Sequence, residues 1–366
     1  MYNKISNNVG FYFLLLFALT ITVLPALSYL LAVAITLIWL LDVLIFRDIE
    51  LIGQPLFFPI IGFAVFSIIV LTISEICGGI YSLAFVGPLL MFSLIMPGFV
   101  ISGEKRKMIL WSFIAGVVLA SGLDIISWWG ETSGFAAAAY HPGLPLSFLV
   151  ALAFCIVMAQ YAQTENLLEK LFLGFISLPL ACAAALSADR SAVLVLAFVI
   201  LIIGAFKDRT VFIPLVAALF VVFSGVFGIG YYVEKNFNFQ QYGQFAVSPI
   251  HEMKQDQKII DEARFYGINS SLAVGGEELA LDGPFFFDLI ARSGPPSLIL
   301  FLWIILAQAQ GSFAKIRKTA PVEISSYHLS LLLALGAVII MNVYGTAFQY
   351  PSNVLAISLL LGMAES

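Results

Sequence analysis

Charge is scarce in this chain of 366 residues: Asp, Glu, Lys and Arg make up 11% of it, whereas 61% is hydrophobic. A soluble domain of this size keeps its surface wet with about 25% charged residues. Composition therefore excludes an ordinary soluble fold, and a mean hydropathy of +1.03 places the chain on the membrane side. Basic charge is in deficit, with a formal net charge of -5 and a pI near 5.2. Nucleic acid is accordingly not an expected partner, because its recognition needs a basic excess. Cysteine is sparse: Cys77, Cys155 and Cys182 form no CxxC or CxxH pattern, so neither a disulfide framework nor a metal site is readable. The chain has no GxxxxGK[ST], HExxH, GxSxG or helix-opening GxGxxG motif, which argues against nucleotide-driven chemistry. Internal repeats, Pro-rich or Ser-rich linkers and heptads are also missing.

What the chain has is apolar runs. A helix rising about 1.5 Å per residue needs roughly 17 to 25 apolar residues to cross the hydrocarbon core. About twelve such stretches are expected, at 9–24, 27–46, 56–73, 80–101, 108–126, 143–161, 168–187, 190–206, 210–230, 295–313, 326–343 and 350–364. Pro25 and Ser28 are expected to break the first long run into a hairpin, since proline cannot continue helix hydrogen bonding. The first run follows a single lysine and has no small-residue cleavage site, so it reads as a retained helix and not a signal peptide. The expectation is an all-α, polytopic membrane protein in which residues 1–366 form a single membrane domain.

Lys and Arg in short loops set orientation. With the N-terminus inside, Lys4, Arg47, Lys105, Arg106, Lys107, Lys170, Lys207, Arg209, Lys315, Arg317 and Lys318 fall on the cytoplasmic side, against Arg190 alone in the short outer loops. Both termini are then expected to be cytoplasmic. Trp128, Trp129 and Tyr140 suit an aromatic belt at the outer interface. Composition changes once, over 231–294 between the ninth and tenth spans, where charges gather among Phe237, Phe239, Tyr242, Phe245, Phe265 and Tyr266. A loop this long in a compact protein is usually functional or disordered, and the aromatics favour partial order.

Ionisable groups inside a membrane are costly, so each is a functional hypothesis. Asp42 and Asp124 lie near span ends, and no carboxylate sits clearly at a midplane, where ion-coupled transporters place their sites. The outer surface holds the candidates. Arg190, in the turn Ala188-Asp189-Arg190-Ser191, is either a snorkelling anchor paired with Asp189 or a planar fork for a phosphate. Arg264, in Asp-Glu-Ala-Arg-Phe-Tyr, can pair with Asp261 on a short amphipathic helix. Asp288 and Arg292 can brace one helix face in the same way. Asp282 or Gly283 can cap a helix that Pro284 starts, with Gly294 and two prolines ending it. A carboxylate there could also take a proton from a hydroxyl, and Glu277, Glu278 and Asp288 compete with Asp282 for that role. His141 and His251 read as solvated loop residues, and His328 falls on the inner side.

The order of these features resembles a known family. Ser187-Ala188-Asp189-Arg190-Ser191 leads an apolar span. A large outer loop bearing Arg264 follows, and then Asp282-Gly283-Pro284-Phe285-Phe286-Phe287-Asp288-Leu289-Ile290-Ala291-Arg292-Ser293-Gly294 before another span. Together they resemble the O-antigen ligase and Wzy-type polysaccharide polymerase superfamily. The similarity covers about 186–301 in motif, and the first half only in span number.

The resemblance implies a metal-independent, cofactor-free glycosyltransferase of the bacterial inner membrane with its active site facing the periplasm. Its donor and acceptor would be undecaprenyl-pyrophosphate-linked oligosaccharides. Arg190 and Arg264 would hold the pyrophosphate and Asp282 would act as base, with Arg292, Asp288 and Glu278 as further substrate-binding candidates. A chain-length regulator and a flippase of the same pathway are implied partners. Ligases of the superfamily usually show a His-Asn pair where this chain has Asp282-Gly283, so the acidic residue favours the polymerase branch over a ligase. A lipid-linked oligosaccharide transporter is the reading from another class. A lipid pyrophosphate carries its own activation, and fixed cations in a poorly hydrated site would stabilise its departure, in a direct displacement with inversion.

Overall fold

The computed structural model describes residues 2–46, 56–73, 77–100, 102–129, 146–186, 190–206, 285–317, 322–344 and 347–365. These residues are helical apart from short connections, with no strand among them. The helices are α1 (Tyr2–Val23), α2 (Pro25–Phe46), α3 (Phe57–Ile73), α4 (Cys77–Phe99), α5 (Gly103–Trp129), α6 (Leu146–Gln163), α7 (Leu167–Leu186) and α8 (Arg190–Phe206). After the break come α9 (Phe285–Ser293), α10 (Pro295–Arg317), α11 (Val322–Tyr344), a 3₁₀ turn (Ala347–Gln349) and α12 (Pro351–Glu365).

Eleven of the expected apolar stretches coincide with these helices; the ninth, 210–230, lies outside the described residues. Among the described residues, six helical segments are long and apolar enough to cross a membrane: 25–44, 103–123, 146–163, 167–184, 295–316 and 325–343. The apolar parts of α1, α3, α4, α8 and α12 are shorter. The bundle also exposes large apolar side chains around its outside, with Leu168 76%, Phe175 72% and Leu30 68% accessible. Water would penalise such a surface and a bilayer would not.

Local chemistry sets the helix ends. Leu24 alone separates α1 from α2, and Pro25 opens α2, where its missing N–H costs nothing. Ser102 caps α5, its Oγ accepting from the Lys105 amide at 3.3 Å, and Asn166 Oδ1 accepts from the Leu168 amide at 3.0 Å at the start of α7, both as side-chain caps do. These caps extend the helices past the apolar runs. Lys105, Arg106, Lys107 and Lys170 thus lie in first helical turns and not in loops, and Trp128 and Trp129 belong to the last turn of α5. Gly294 takes a φ of 84° and its amide donates to the Ile290 carbonyl at 2.8 Å. This is the left-handed stop that glycine makes without a Cβ penalty, and α10 begins directly after it.

The centre of the bundle is α6, where Leu146 to Ala159 are buried without interruption. It packs against α5, α7, α8 and α11. Elsewhere α1 lies on α5 and α2, and α12 lies on α4. Small residues allow the close approaches, as in membrane helix pairs generally. A Cβ on Gly116 would strike the Leu19 carbonyl, and one on Gly362 would come within 2.7 Å of the Phe92 carbonyl. Several hydroxyls in the apolar interior donate to their own helix, as Thr20 does to Leu16, Ser67 to Phe63 and Ser358 to Val354, which removes the cost of an unpaired polar group at those positions.

Candidate functional site

The bundle has two chemically different poles. At the first, the starts of α5, α7 and α11 meet the ends of α4, α6, α10 and α12. Lys105 lies over the Phe11 ring at 4.9 Å and Arg106 over the Tyr327 ring at 4.9 Å. The Lys315 ammonium donates to the Ala364 carbonyl at 3.2 Å, and Gln163 Nε2 to Ser325 Oγ at 3.5 Å. His328 is buried here, its Nδ1 3.3 Å from Ser312 Oγ. This is the basic pole.

At the opposite pole four phenylalanines from four elements interlock. The Phe348 ring of the 3₁₀ turn meets Phe148 of α6, Phe285 of α9 and Phe301 of α10 at centroid distances of 5.5, 5.1 and 6.0 Å. All are edge-on, the arrangement the aromatic quadrupole favours. Two buried amides fix the turn that carries Phe348. Asn342 Oδ1 accepts from the Phe348 amide at 3.2 Å, and Asn353 Nδ2 donates to the Ala347 carbonyl at 2.6 Å. Ser297 Oγ donates to the Leu289 carbonyl at 3.2 Å and ties α9 back onto α10. The aromatic pole thus seats α9 with Phe285 and Leu289 buried.

The expected site residues distribute as follows. Asp288 and Arg292 stand one turn apart on α9, at the aromatic pole. Arg190 is the first residue of α8. The start of α6 lies at the aromatic pole, and its 18 residues span roughly 27 Å to the basic pole. The chain returns through α7, which brings Leu186 toward the aromatic pole, and Arg190, four positions on in sequence, opens α8 from that end. Both α8 and α9 pack on α11, which makes α11 the element shared by the two backbone segments. Arg264, Glu277, Glu278 and Asp282 lie outside the described residues, as do His141 and His251. The capping role expected of Asp282 or Gly283 falls outside them too, and α9 is described from Phe285.

Sequence reasoning missed two features. Charge alone does not mark Asn342 and Asn353, although an amide inside an apolar run is itself a readable signal. A cavity of about 260 Å³ at the basic pole, lined by Arg106, Lys107, Gln160, Thr164, Glu169 and Ser326 among others, had no linear signature. Its walls come from α5, the end of α6, the start of α7 and α11.

The described residues form an all-helical fold with six helices long and apolar enough to cross a membrane, which suits a polytopic membrane protein. No protein-family model matches the chain, and no curated protein matches it either.

Proposed function

We propose that the protein is a polysaccharide polymerase of O-antigen, capsule or exopolysaccharide type. In this reading it works in the bacterial inner membrane and transfers undecaprenyl-pyrophosphate-linked glycan onto the next lipid-linked repeat at the periplasmic face. The observation that carries the reading is that Arg190 and the α9 pair Asp288 and Arg292 belong to one pole, opposite the basic one. A pyrophosphate and a glycan hydroxyl must meet at one membrane face, and this pole collects the described candidates for both. By the positive-inside bias the basic pole is cytoplasmic, so the aromatic pole is periplasmic.

In the proposed chemistry Arg190 and Arg264 bind the pyrophosphate, whose negative charge grows as the glycosidic bond to it breaks. Asp282 accepts the proton of the attacking hydroxyl, and the bundle supplies proximity by holding two lipid-bound reactants in line. The acidic residue at the α9 approach favours the polymerase over a ligase. Deleting the gene in the native host, with glycans analysed by gel, tests the reading. Loss of the long-chain ladder with single repeats on the outer surface is expected. Repeats trapped on the cytoplasmic face would indicate a transporter instead, and an intact ladder would remove the proposal.

A further inference from the structure

We infer that the basic pole holds a specific anionic phospholipid, with its headgroup phosphate in the cavity at Arg106 and Lys107 and an acyl chain in the groove between α1 and α5. The inference requires only that the apolar helices lie in a bilayer and is independent of the polymerase reading.

The cavity encloses about 260 Å³. That is below the roughly 300 to 1,000 Å³ of pockets that enclose drug-sized ligands, so it suits a headgroup and not an oligosaccharide. Its cationic wall is pre-oriented. Tyr327 is buried and its hydroxyl donates to the Leu360 carbonyl at 2.5 Å, which fixes the ring on which the Arg106 guanidinium lies. The planar guanidinium fork matches a phosphate in bidentate geometry. Lys107 adds a second cation. Glu169 is the carboxylate in the lining, and it accepts the Thr164 hydroxyl at 2.6 Å. Gln160 and Ser326 supply neutral hydrogen-bonding groups of the kind that orient a phosphoester.

Lys107 also borders a second, more open space of about 730 Å³. Leu15 and Leu19 of α1 line it, with Glu104, Met108, Trp111, Ser112 and Ala115 of α5. These α5 positions lie progressively farther from the capped start of the helix, toward the bundle's middle. A polar, cationic cavity thus shares Lys107 with a groove that is polar at its Glu104 and Lys107 end and mostly apolar beyond, toward the hydrocarbon zone, which is the shape of one phospholipid. Basic pockets between membrane helices on the cytoplasmic side take anionic headgroups in this manner.

The test uses the full-length purified protein, delipidated in neutral detergent and followed by its unfolding midpoint. It is titrated separately with phosphatidylglycerol, phosphatidylcholine and inorganic phosphate. Phosphatidylglycerol should raise the midpoint with at least about tenfold higher apparent affinity than phosphatidylcholine, and inorganic phosphate should not reproduce the shift. Arg106→Gln and Lys107→Gln should each weaken phosphatidylglycerol binding about tenfold, the loss that accompanies one charge-assisted hydrogen bond. Lys170→Gln, at the same pole but outside the lining, should leave it unchanged. Ala115→Trp, which fills the groove, should weaken lipid binding. Should Arg106→Gln fail to fold for want of its ring contact, the exposed Lys107 and Ala115 carry the test. Equal response to both lipids, full reproduction by phosphate alone, or undiminished binding in both the Lys107 and Ala115 variants would overturn the inference.

Discussion

Arg190→Gln, Arg264→Gln and Asp282→Asn should each cut the yield of long glycan by at least about a hundredfold, the usual scale for removing a group that stabilises transition-state charge. Single lipid-linked repeats should persist on the outer surface. The two arginine changes remove the cations proposed to receive the pyrophosphate. Arg190→Lys would keep the charge but lose the bidentate fork, so it should restore only part of the activity. Asp282→Asn keeps shape while removing the proton acceptor. Because Glu278 and Asp288 stand near Asp282 in sequence, Glu278→Gln and Asp288→Asn belong in the same series. The proposed assignment requires both to retain more chain extension than Asp282→Asn. Membrane levels measured alongside separate loss of chemistry from loss of protein. Unchanged ladders at normal protein levels would remove these residues from the site.

Gly116→Val should be the most damaging substitution in the described core. At this point α1 runs parallel to α5, with Phe11 beside Lys105 near their starts and Leu19 beside Gly116 farther along. A Cβ on Gly116 would meet the Leu19 carbonyl, and Thr22 Oγ1 at 2.9 Å. The first obstacle is backbone, which cannot swing aside as a side-chain tip can, so the helices must separate along their contact. Overpacking of this kind costs about 1 to 3 kcal/mol, occasionally more. Gly122 lies on the same helix with nothing within 4 Å of its Cβ position, and Gly122→Val should be close to neutral. Unfolding both variants in mixed detergent and SDS micelles gives the comparison. Equal stability would mean that the α1 and α5 contact does not hold the bundle together.

The helices were legible because hydropathy and length determine them almost alone. Pro25, Ser102 and Gly294 then mark boundaries for local reasons that a sequence displays. The misplaced ends follow from treating charge as a loop signal. Lys105 to Lys107 are good helix formers behind a serine cap, and the helix takes them in. Three-dimensional assembly was harder to read. Nothing in Arg106 predicts Tyr327, which is far away in sequence, nor that the ends of α5, α6 and α11 would enclose a polar cavity. At the other pole, the run Phe285-Phe286-Phe287 promised an apolar helix. That its first residue would join Phe148 and Phe301 around Phe348 depends on four separate elements. The candidate site follows from motif order, and its described members, the catalytic candidate Arg190 and the substrate-binding candidates Asp288 and Arg292, fall on backbone at the same pole.

The most direct measurement of the central claim is reconstitution of the purified full-length protein in liposomes with synthetic undecaprenyl-pyrophosphate-linked repeat units, without nucleotide and with chelator present. The account predicts a ladder of lipid-linked oligomers, one released undecaprenyl pyrophosphate for each linkage formed, and no ladder from the Arg190→Gln protein. Repeats that stay single while crossing the bilayer, or a ladder that persists in the Arg190 variant, would contradict it.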